Sequence, residues 1–92
     1  MTKNYFVAYD LNVEGQDYKK IQKAIESCGF SIRIQKSLFY LKSAATLEEI
    51  SKVIKAAVDK TDRLIVIEAS NAFTLNLFPG TEEQIMQRWI QR

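Results

Sequence analysis

The chain has 92 residues, 47% of them apolar and 26% charged, enough for one packed core but not two. Thirteen Lys and Arg against eleven Asp and Glu leave a net charge of +2, well short of the excess that holds a protein to nucleic acid by charge alone. With no histidine and one cysteine, Cys28, the chain has no imidazole base, no Ser-His or Cys-His nucleophile, no internal disulfide and no multi-cysteine zinc site.

Residues 5–9 (Tyr-Phe-Val-Ala-Tyr) form a short, nearly continuous apolar run ending at Asp10, the pattern of a central strand. Gly15 and its polar neighbours predict a turn over 12–16. Asp17 then stands as the N-cap of a helix whose stripe is Ile21, Ala24, Ile25 and Cys28 and whose C-cap is Gly29. Over 30–42 the residues alternate, with Ile32, Ile34, Leu38 and Tyr40 on one parity and Arg33, Gln35 and Ser37 on the other. That run exceeds a typical strand of about five or six residues, which predicts two strands joined near Lys36 and Ser37. Thr46 and Glu49 form a capping box ahead of Leu47, Ile50, Val53, Ile54 and Ala57, a second helix ending near Asp59. Residues 64–67 (Leu-Ile-Val-Ile) close the order with a strand.

The order βαββαβ is the ferredoxin-like α+β arrangement, an antiparallel sheet with both helices on one face. The expectation is a single cytoplasmic domain over 1–92, with its core at about 5–68 and a tail at 71–92, since no apolar run reaches the roughly 18 residues of a membrane span. In the tail, Phe73, Leu75 and Leu77 predict an added strand. Thr81 with Gln84 predicts a second capping box, ahead of a short helix with Ile85, Met86, Trp89 and Ile90. The sheet face away from the helices would carry Phe39, Leu41 and Tyr5 or Val7 and be covered by a second copy.

Asp10 is the candidate for chemistry. A carboxylate at the end of a central strand can hold Mg²⁺ or Mn²⁺ with waters and a substrate phosphate, or simply cap its own turn. Glu14 and Asp17 are the acids able to join it. Lys19, Lys20, Lys23, Arg33, Lys36 and Lys42 stand against one acid, Glu26, over 19–42, a phosphate-contacting surface or an ordinary solvated face. Phe39 and Tyr40, interleaved with them, stack on bases or pack a core. Cys28 reads as a small buried hydrophobe. Trp89 and Met86 pack the tail helix or meet a partner.

Tyr9 and Asp10 after an apolar strand, Gln35, Ser37 and Phe39 within Gln-Lys-Ser-Leu-Phe, and Asp62 ahead of Leu-Ile-Val-Ile form a recognisable series. Together they resemble the small CRISPR-associated spacer-acquisition family, the endoribonuclease-like partner of the integrase, and the superfamily it shares with virulence-associated protein D toxins. Residues 11–18 look more like its uncharacterised SinR-like bacterial relatives. The resemblance implies a homodimer in which Asp10 and its symmetry mate hold a divalent cation, RNA or DNA as the partner, and no organic cofactor. Three readings follow: a nucleic-acid-associated homodimer that is non-catalytic or weakly nucleolytic, a metal-dependent endoribonuclease or endonuclease built on Asp10, or a protein-interaction module. The absent histidine and the lone candidate carboxylate favour the first.

Overall fold

A computed structural model of the chain describes residues 1–11 and 18–91. Its elements are β1 (Lys3–Asp10), α1 (Tyr18–Glu26), β2 (Phe30–Gln35), β3 (Leu38–Ser43), α2 (Leu47–Lys55), β4 (Arg63–Ala69) and α3 (Thr81–Trp89). The strands form one antiparallel sheet in the order β2-β3-β1-β4, so the ferredoxin-like order holds. The predicted turn at 12–16, the Asp17 cap and Glu14 lie outside the described residues.

Period-two patterning sorts the strands between two cores. Tyr5, Val7 and Tyr9 of β1 and Phe39 and Leu41 of β3 point to one face, where Ile21 and Ile25 of α1 and Ile50 and Ile54 of α2 cover them. The expectation that Phe39, Leu41, Tyr5 and Val7 line an uncovered face is therefore wrong; they form the main core. Tyr40, Ile34 and Ile85 are the buried centre of a second cluster on the opposite face, ringed by Phe6, Phe30, Ile32, Leu38, Leu77 and Trp89. Near Arg33 and Gln35 the β2–β3 register shifts by a bulge.

Gly29 follows helix α1 as expected, but its need for glycine comes from β3: at φ 156° a Cβ would collide with the Lys42 carbonyl. The Thr46–Glu49 capping box forms in both directions, with Glu49 N–H donating to Thr46 Oγ1 at 3.1 Å and Thr46 N–H to Glu49 Oε1 at 2.9 Å. Helix α2 stops at Lys55 rather than near Asp59, and single turns carry the chain on through Ala57 and Val58. Cys28 is half-buried, packed against the main core, and burial pushes its thiol titration up.

The tail departs most from its sequence pattern. Among the described residues no strand forms after β4. Phe73, Leu75 and Leu77 alternate like a strand, but Asn76 turns to φ 58° and Leu77 alone of the three joins the second cluster. The second capping box is also absent. Gly80, at φ 86°, is the N-cap of α3 without a side-chain bond, while Thr81 is buried inside the helix. Helix α3 instead lies over β2 and β3, placing Ile85 and Trp89 on Tyr40 and Phe6. It covers only half of that face, since Ile65 and Ile67 of β4 stay 59% and 51% exposed.

Candidate functional site

The sheet brings the motif residues to one end. Strand β1 finishes at Asp10, which stands opposite Arg63, the first residue of β4. Beside it, the Tyr9 N–H donates to the Ser37 carbonyl at 3.1 Å, tying the β2–β3 turn to β1. Helix α1 begins at the same end, with the Tyr18 ring 6.3 Å from that of Tyr9. Tyr9 also stacks on Phe39 at 6.2 Å. Burial raises the Tyr9 phenol titration, and the charge and hydrogen bond of Arg33 partly offset that rise.

The predicted cations divide between the two ends. Arg33 and Lys36 are exposed on and beside the turn, Lys19 and Lys20 are exposed in the first turn of α1, and Lys23 is exposed in its last turn. Lys42 is different: it is 6% exposed at the far end of the sheet, opposite Asn4. Its Nζ donates to Asn4 Oδ1 at 3.1 Å and to the Trp89 carbonyl at 3.0 Å, and burial lowers its titration. The structure thus separates Lys42 from the other five and makes it an anchor for α3. Of the aromatics, Phe39 and Tyr40 are both buried in cores, whereas Tyr18 is 38% exposed. Gln35 is exposed and Ser37 half-buried at the turn.

Arg63 is a member of this end that sequence reading missed. The signal was partial, because an antiparallel last strand starts at the end of the sheet where β1 finishes, while its register against β1 is set by tertiary pairing. Chemically, Asp10 offers a hard oxygen ligand of the kind Mg²⁺ and Mn²⁺ accept, with waters and phosphate oxygens completing the shell. Among the described residues no three His, Cys, Asp or Glu gather as a metal cluster, and Asp10 is the carboxylate that those residues place at this end of β1.

Residues 3–74 match the family described as CRISPR associated protein Cas2. The chain belongs to that family. The match spans β1 to β4 and ends before α3, so it rests on the ferredoxin-like body that carries Tyr9, Asp10, Ser37 and Phe39. The crystal structure of a hypothetical protein from Thermus thermophilus is similar, at TM-score 0.64 and 22% identity, covering 82% of this chain and 90% of that one; this likeness concerns the fold. No curated protein matches the chain. No helix among the described residues is long and apolar enough to cross a membrane.

Proposed function

We propose that this Cas2-family chain is a cytoplasmic, homodimeric nucleic-acid-binding protein of CRISPR spacer acquisition, with a phosphodiester backbone lying across the Asp10 end. The observation that carries this is the gathering of Lys36, Arg63 and the first turn of α1 around one exposed carboxylate. Lys20 and Lys36 make the phosphate contacts at this end, Lys23 adds one further along α1, and Tyr18 offers its exposed ring to a base. Asp10 would hold Mg²⁺ or Mn²⁺; when bound, such an ion neutralises phosphate charge and activates water. The chain's own part is to present one oxygen ligand beside a cationic rim, and without an imidazole it has no ready general base. Binding with little or no cleavage is therefore the reading favoured here.

The test is fluorescence anisotropy with single- and double-stranded DNA and RNA across a salt series. Binding should weaken with salt at a slope of about −3, as expected when a handful of phosphates is contacted at about −0.9 each. Affinity that ignores salt would sink the proposal. A nuclease assay with Mg²⁺ or Mn²⁺ distinguishes the catalytic alternative: cleavage by the wild type that Asp10→Asn abolishes, with fold and dimer intact, would assign the chain as a nuclease.

A further inference from the structure

Arg33 is exposed on β2, yet its guanidinium is engaged on two sides. Nη2 donates to the Lys36 carbonyl at 3.3 Å, and the cation lies 6.0 Å from the centroid of the Phe39 ring, the ring on which Tyr9 is stacked. These contacts converge on one piece of chain. The turn whose Lys36 carbonyl Arg33 grips is the turn whose Ser37 carbonyl receives the Tyr9 N–H, and Tyr9 immediately precedes Asp10. The β2–β3 bulge falls at Arg33 and Gln35, where the ladder is interrupted and the turn needs fastening from elsewhere.

We infer that Arg33 is a positioning residue: it ties the β2–β3 turn to the end of β1, so that Lys36 and Asp10 are presented as one unit, and it is not itself a phosphate contact. A guanidinium is a rigid fork of five donors. With a donor turned onto the Lys36 carbonyl and one face toward Phe39, swinging the guanidinium out to a phosphate would require letting the turn go. Lysine keeps the charge but has no planar fork to hold that carbonyl and lie toward the ring face together. The inference deepens the proposed binding reading, but its geometry belongs to the free protein and is tested there.

The first measurement is amide hydrogen exchange by NMR on the free protein, comparing wild type with Arg33→Lys and Arg33→Gln. Both variants should exchange the Tyr9 amide about tenfold faster, a local opening, while amides in the middle of β1 keep their protection. Unchanged Tyr9 exchange in the folded variants overturns the inference, and Arg33→Lys, which preserves the charge, decides the matter if Arg33→Gln does not fold. The second measurement is the salt slope of DNA and RNA binding. Lys36→Gln should reduce it by about one phosphate contact, and adding Arg33→Gln to Lys36→Gln should leave the slope where Lys36→Gln put it. A further reduction in the double variant would make Arg33 a phosphate contact in its own right and overturn the inference. Absence of binding in the wild type would fail the proposed function while the exchange result still decides the role of Arg33.

Discussion

The Tyr40 hydroxyl donates to Asn4 Oδ1 at 2.6 Å beneath the Trp89 ring, and burial pushes its titration from 10.0 up to about 12. The folded chain therefore holds this proton where the unfolded chain releases it. Its stabilising contribution is complete below pH 10 and disappears as pH rises toward 12, about 2 to 3 kcal/mol in all at about 1.4 kcal/mol per unit. Urea unfolding at pH 9 and 11.5 should show the wild type losing about 2 kcal/mol more than Tyr40→Phe over that interval. The variant starts about 1 kcal/mol lower for the missing hydrogen bond. Equal losses in the two proteins would mean that the phenol is not buried beneath α3. Charge reversal at Lys36 tests the other end of the sheet: Lys36→Glu should weaken binding to every nucleic-acid sequence alike in anisotropy titrations, since phosphate contacts carry no base information.

Each helix depends on a different local device. Thr46→Ala removes the α2 cap and should cost about 1 kcal/mol, a melting temperature lower by about 4–8 °C by calorimetry. Glu49, whose bonds to Thr46 hold its carboxyl below the usual value of 4.5, adds a pH signature. Its contribution is present above pH 4.5 and lost as acid protonates it, so the gap between wild type and Thr46→Ala should narrow at low pH. Helix α3 is fixed by packing instead, and Ile85→Ala should cost about 2 to 3 kcal/mol in urea unfolding, the low end for a buried isoleucine covered from one side. The sequence made α2 legible because a capping box and an i, i+4 stripe are local signals. It also made the strands legible, and the motif residues of β1 and the turn. Which face each strand parity served was not legible, since Phe39 and Tyr40 are both large and apolar and only tertiary packing assigns one to α1 and α2 and the other to α3. The tail misled for a similar reason. Phe73, Leu75 and Leu77 have strand spacing, but a strand needs a ladder partner, and Asn76 and Gly80 turn the chain toward α3 instead. Lys42 looked like its neighbours Lys36 and Arg33 because nothing local announces that a helix more than forty residues later will close over it.

For the whole molecule, α3 changes where a second copy can sit. It occupies the β2–β3 half of the sheet face, leaving Ile65, Ile67 and the exposed Met86 and Ile90 as an apolar surface. A homodimer through the β4 half is expected by sedimentation at tens of micromolar, with Ile65→Lys and Ile67→Lys together giving a folded monomer. A wild-type monomer would remove the homodimer from the proposed function, and with it any paired Asp10. The buried amine of Lys42 has a further consequence. Held between Asn4 and the Trp89 carbonyl, it is shielded from acylating reagents as long as α3 lies on the sheet, while the exposed lysines of α1 react freely. Its acylation half-life, read by mass spectrometry, thus times the lifting of α3, and ligands that stabilise the closed form should lengthen it without touching the lysine.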